Sequence, residues 1–217
     1  MAELRPVALP PAERTIGQLV AESVRFYGDH FWPSLALGVA PAVAAAVGAQ
    51  ISQRTTLILL PTVFGALLSA TYVYACILVL GSSPTRGRLV VAWLGGWIVF
   101  APVAPLIRFT YVLPGIVWLA AFALVVPVLV AEQRSVRASV GRAVQLVRAD
   151  YVHEIGSLVT LAILAVLTQG VIAFTLRGFA DSAVWAAYFL AATVVSPLLF
   201  LGSALLYVDQ AARVEVD

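Results

Sequence analysis

Residues 182–208, SAVWAAYFLAATVVSPLLFLGSALLYV, run for 27 positions without an Asp, Glu, Lys, Arg or His. A helix needs about 20 predominantly apolar residues to cross a hydrocarbon core near 30 Å thick. This stretch therefore reads as a spanning helix. Five more stretches share its character: 31–53, 55–80, 89–107, 109–131 and 155–176. The whole chain of 217 residues is 62% hydrophobic and 11% charged, with a mean hydropathy of +0.99. Soluble domains carry about 45–50% apolar and 25% charged residues. Six such runs leave too little polar surface to cover them, so a water-soluble domain is excluded.

The expected fold is all-α: a polytopic integral membrane bundle of six transmembrane helices with two amphipathic surface helices. Residues 1–14, with Pro6, Pro10 and Pro11 among mixed charges, read as a flexible tail. They lack the apolar core of a signal peptide, so insertion is expected through the first spanning helix. Residues 15–217 read as a single transmembrane domain. Its spans are expected at about 32–52, 56–80, 89–107, 111–131, 155–176 and 183–208. Only Arg108 separates the third and fourth runs, with Pro102, Pro105 and Pro114 around it. The region 100–115 reads as a tight hairpin or as a shallow re-entrant pair.

The surface helices are expected at about 15–31 and 135–150. In the first, Ile16, Leu19, Val20, Val24, Tyr27 and Phe31 fall on one face, with Thr15 as N-cap. In the second the face is Val136, Val140, Val144, Val147 and Tyr151, with Ser135 as cap. Such helices, joined directly to spans, lie along a membrane surface. The two match at an offset of 120: Thr15 with Ser135, Val24 with Val144, Phe31 with Tyr151. In the first span, Ala36, Ala40, Ala44 and Gly48 form a small-residue ridge suited to close helix packing.

All thirteen basic residues are Arg. With six spans, one side holds Arg5, Arg14, Arg25, Arg86, Arg88, Arg134, Arg137, Arg142, Arg148 and Arg213. The other holds Arg54, Arg108 and Arg177. The positive-inside rule then places both termini in the cytoplasm. The heavy use of Arg, Ala, Val and Leu suggests a high-GC bacterial genome, hence a bacterial plasma (inner) membrane.

Chemistry is sparse. No HExxH, Walker, GxSxG or dinucleotide fingerprint occurs, and no catalytic, metal or cofactor-binding residue is expected. Cys76 is the single cysteine and reads as apolar filler. His30 and His153 each precede a span and read as interfacial, solvated residues. Thr168-Gln169-Gly170 is the most polar mid-span spot and reads as an interhelical hydrogen-bonding site. Trp93, Trp97 and Trp118 fall deep in their runs and read as packing residues. The mid-span prolines read as kinks. Arg134, Arg137, Arg142 and Arg148 are the candidate contacts to anionic lipid, each worth about 1 kcal/mol near a charged leaflet. Glu132, Asp150 and Glu154 offset part of that charge.

The segments RTIGQLVAESVRFYGDHFWPSLALG (14–38), VPVLVAEQRSVRASVGRAVQLVRADYVHEIG (126–156) and ALLYVDQAAR (204–213) resemble the bacterial glycerophosphoryl diester phosphodiesterase membrane domain family. The resemblance covers most of the chain in layout. It implies a multi-helix integral membrane domain, in some members joined to a catalytic barrel with metal-binding carboxylates and His. The present residues carry none of those acid clusters, so the enzymatic activity is not expected. The expected role is non-catalytic, a scaffold or accessory membrane protein in contact with membrane lipids and other membrane proteins, with no nucleic acid. The alternative is a small transporter or permease subunit for an apolar or zwitterionic substrate.

Overall fold

The computed structural model describes residues 10–48, 50–103, 105–106, 112–132, 134–176 and 181–216. Its elements are helical, with no strand among the described residues. A short 3-10 turn at Pro11–Glu13 leads into α1 (Ile16–Asp29). The first apolar run forms α2 (Phe31–Leu37) and α3 (Val39–Gly48). The second forms α4 (Gln53–Leu59), a π-helical turn at Leu60–Phe64, and α5 (Gly65–Leu80). Then come α6 (Arg86–Phe100), α7 (Val112–Phe122), α8 (Val125–Ala131) and α9 (Val136–Ala149). The long helices α10 (Tyr151–Leu176) and α11 (Asp181–Val216) complete the chain.

Four segments are long and apolar enough to cross a membrane: Phe31–Gly48, Arg54–Leu80, Tyr151–Ile172 and Trp185–Glu215. Val117–Ala131 is a shorter apolar helix. The fourth expected run breaks at Ala123–Leu124, and the turn at Arg108 lies outside the described residues. Residues 1–9 of the expected tail also lie outside them. From Pro11 on, that tail is folded: Arg14 is tied to the far end of α11.

The breaks follow from proline chemistry. A proline within a helix leaves the carbonyl four residues earlier without its N–H. Pro127 frees the Ala123 carbonyl, and the buried Tyr72 hydroxyl donates to it at 3.1 Å. Pro197, inside α11, frees the Thr193 carbonyl. Gly38, between α2 and α3, lies directly against that carbonyl, and a Cβ there would overlap it. Two tryptophans of α6 hold the π turn that carries Pro61 and the first turn of α5 after it. Trp97 Nε1 donates to the Pro61 carbonyl at 2.7 Å, and Trp93 Nε1 to the Ala66 carbonyl at 2.8 Å. Trp118 Nε1 likewise donates to the Val99 carbonyl at 2.8 Å. The deep tryptophans therefore staple broken backbone to neighbouring helices as well as filling space. The left-handed residue ending α5 is Gly81, at φ +58°, where a side chain would be strained.

The small-residue ridge sits differently from its expected face. Of the four, Ala44 is buried, Ala40 and Gly48 are half-buried and Ala36 is exposed, and the first span also buries Ser34, Leu37, Gly38 and Ala42. The interruption at Gly38 shifts the face that meets α11.

α1 packs on α10 and α11, while α9 packs on α7, α8 and α11. Both have the expected caps: the Thr15 side chain accepts from Gln18 N, and the Ser135 side chain from Ala138 N. They have equal lengths and start 120 residues apart. Buried positions at this offset also correspond, Leu19 with Ser139 and Ser23 with Ala143 in the two helices themselves, and Ser34 with Glu154 and Leu37 with Ser157 in the helices that follow them. In both, part of the apolar face given by the spacing turns away from the bundle. Val24 is 50% exposed and Val136 47%, as are neighbouring Phe31, Trp32 and Tyr151 to similar or greater degree. One edge of each apolar arc faces the bundle and the other faces outward.

The main core joins α5, α6, α8, α9 and α11 through Tyr72, Leu124, Val126, Leu129, Leu146 and Leu201.

Candidate functional site

The polar residues gather at one end of the bundle. Arg14 Nη1 donates to Asp209 Oδ1 at 3.0 Å, and Arg213 Nη2 donates to the Arg14 carbonyl at 2.8 Å. Arg213 Nη1 pairs with the Asp150 carboxylate, whose other oxygen accepts from the His153 backbone at 2.9 Å. Asp150 thereby caps α10. Gln210 Nε2 donates to the Asp150 carbonyl at 3.1 Å and to Glu154 Oε2 at 3.3 Å. Glu154, Asp209 and Gln210 are 0% exposed. Glu154 Oε1, Gln210 Oε1 and Asp209 Oδ2 have no hydrogen-bond partner among the described residues.

His153 is a correction to the sequence reading. It is 6% exposed, with Nε2 4.0 Å from Asp209 Oδ2, rather than solvated at an interface. His30 is exposed and stacks on Phe26, ring centroids 4.4 Å apart. Among the described residues, no three His, Cys, Asp or Glu side chains are placed to hold a metal ion.

A second network lies beside the first. Glu132 accepts from Arg142 Nε at 3.3 Å and from the Tyr207 hydroxyl at 3.2 Å, and pairs with Arg134 at 2.7 Å. Arg88 Nη1 donates to the Arg134 carbonyl at 2.7 Å. These contacts bring the N-terminal segment, the start of α6, the 132–154 segment and the end of α11 to one end of the molecule.

The four candidate lipid-contacting arginines therefore divide. Arg134 and Arg142 share Glu132, and Arg142 is half-buried. Arg137 and Arg148 are exposed and have no acidic partner among the described residues. Eleven positions are about three helical turns, so these two point the same way, roughly 16 Å apart along α9. Gly141 and Gln145 are exposed between them. Arg86 is exposed at the same end of the bundle.

Two cavities open within the apolar part. The central one holds about 320 Å³ and is lined by residues of α3, α5, α6, α7, α10 and α11, including Leu68, Tyr72, Phe100, Leu158 and Leu199. The other, of about 360 Å³, lies among Ala42, Ala45, Gln169, Trp185 and Tyr188. Thr168 beside it donates to its own helix, at the Leu164 carbonyl, 2.8 Å. Gln169 is thus the polar group of that mid-span triplet that faces a cavity.

Sequence reasoning missed the buried polar end. His153, Glu154, Asp209 and Gln210 flank apolar runs, where charges ordinarily meet water or headgroups. A usable signal was the pair of acid–amide and His–acid neighbours at the near ends of two adjacent spans.

No protein-family model, curated protein or solved structure matches this chain.

Proposed function

We propose that this chain is a non-catalytic multi-pass membrane protein, a scaffold or accessory subunit that holds anionic lipid headgroups along α9. The observation carrying this reading is the aligned pair Arg137 and Arg148, without an acidic partner among the described residues, on the exposed face of an amphipathic helix. Each such charge near an anionic leaflet is worth about 1 kcal/mol. The outward apolar edges of α1 and α9 suit residues at the depth of the acyl chains.

On this reading the bundle has six spans, the segments at 86–106 and 112–131 crossing as a pair beside the four longer helices. The arginine-rich end faces the cytoplasm of a bacterial inner membrane by the positive-inside rule. The chain is then akin to the glycerophosphoryl diester phosphodiesterase membrane domains, without their catalytic function.

The test is native mass spectrometry of the R137Q/R148Q variant extracted in mild detergent. Bound phosphatidylglycerol should fall relative to wild type. R142Q is the contrast, because its guanidinium already serves Glu132. Equal retention of anionic lipid in R137Q/R148Q and wild type would sink the proposal.

The cavity beside Gln169 favours a second reading, a small transporter for an apolar or zwitterionic substrate. Under that reading, a cysteine at Ala45 or Gln169 should react with a water-soluble maleimide. In a sealed scaffold it should not.

A further inference from the structure

We propose that the central cavity is a binding site for one acyl chain of a bilayer phospholipid. It lies apart from the arginine face of α9 and requires only that the chain be embedded in a membrane.

The walls select for hydrocarbon. Leu68, Phe100, Leu158, Leu199 and Phe200 are apolar, and the polar groups among them are nearly all engaged. The Tyr72 hydroxyl donates to the Ala123 carbonyl at 3.1 Å, and the Ser203 hydroxyl to the Leu199 carbonyl at 2.7 Å. Ser196 is the wall hydroxyl without a partner among the described residues. A buried water needs two to four polar partners, so one hydroxyl does not hold a water cluster. A dry void leaves its lining without dispersion contacts on one side. An apolar cavity of about 150 Å³ takes up benzene. This one is more than twice that size, at about 320 Å³.

The occupant follows from the surroundings. Leu158 and Ala162 line the cavity from α10, while Ile163 and Val166 on the same helix are 52% and 69% exposed. A single helix therefore separates the void from the surface that faces lipid. Phospholipid chains are the apolar groups at highest concentration on that surface, and their flexibility suits a space shared among six helices.

The experiment uses the full chain in nanodiscs of phosphatidylcholine carrying a diazirine on one acyl chain. After irradiation, adducts are mapped by mass spectrometry. Adducts are expected on Leu158, Leu199 and Ser203 at the wall and on Leu167 and Val171 of the outer face. In A162F, and independently in S203F, the wall adducts should be lost and the outer-face adducts kept. Both variants fill the void, so thermal stability in detergent should hold or rise. Outer-face adducts without wall adducts in wild type would overturn the proposal, as would wall adducts surviving in both variants. Wall labelling by a diazirine fatty acid but not by the phospholipid would also overturn it. Loss of the outer-face adducts as well would instead refute membrane embedding.

Discussion

Asp209 shows what a single residue does here. It is fully buried at the end of α11, and among the described residues its one hydrogen-bonded cation is Arg14, 195 positions away in sequence. Removing one partner of a buried pair strands the other and costs about 3–5 kcal/mol. Asp209→Ala should therefore lower thermal stability in detergent strongly, followed by tryptophan fluorescence. Asp29→Ala removes a partner of the exposed Arg25 and should change stability by less than about 1 kcal/mol. Comparable losses in the two variants would contradict the buried network. Sequence alone does not reach this distinction. Asp29 and Asp209 each stand at the border of an apolar run, and only the packing of α1 and α10 on α11 separates them. The tryptophans were half legible for the same reason: depth in a run says buried, but the carbonyl each indole meets depends on which helix packs beside it.

The elements were more legible than their faces. Hydrophobic spacing and the caps Thr15 and Ser135 place both surface helices within a residue or two. Which edge of each apolar face meets protein is not legible, because the arcs are wide enough to serve two environments. Periodicity gives the centre of an arc, not which edge meets protein. The equal lengths and matching buried positions of α1 and α9 make a paired prediction. Thr15→Ala and Ser135→Ala should each cost about 1 kcal/mol. Hydrogen exchange should quicken in α1 for the first variant and in α9 for the second. Faster exchange spread over both helices in either variant would mean that the caps do not act locally. The small-residue ridge loses Ala36 to the outside for a different reason, while Ala44 stays buried. Extrapolating a spacing of four assumes an unbroken helix, and the interruption at Gly38 removes that assumption.

At the scale of the whole molecule, the apolar runs settled that the chain is a membrane-compatible helical bundle. They did not fix the number of crossings, because α7 and α8 together make one interrupted segment and Arg108 lies outside the described residues. The contacts of Arg14 with Asp209 and Arg213 require an even number. The turn near Gln50 is then expected on the opposite side from Glu13 and Arg213. In right-side-out vesicles, Gln50→Cys should react with an impermeant maleimide and Glu13→Cys should not. Cys76 is fully buried and gives no background. Labelling of Glu13→Cys alone would reverse the assigned orientation, and labelling of both would contradict their placement on opposite sides.

The meeting of Arg213 with the Arg14 carbonyl has a consequence for how the chain could be rewired. A short polypeptide bridge between Arg14 and Arg213 would need to span little more than the reach of an arginine side chain. New ends cut at 82–84, beside the Arg88–Arg134 contact, would emerge on the same side as the old ones. Such a circular permutant would thread every segment through the bilayer in its original direction. Opening the chain at Gln50 instead would send both new ends out of the opposite leaflet.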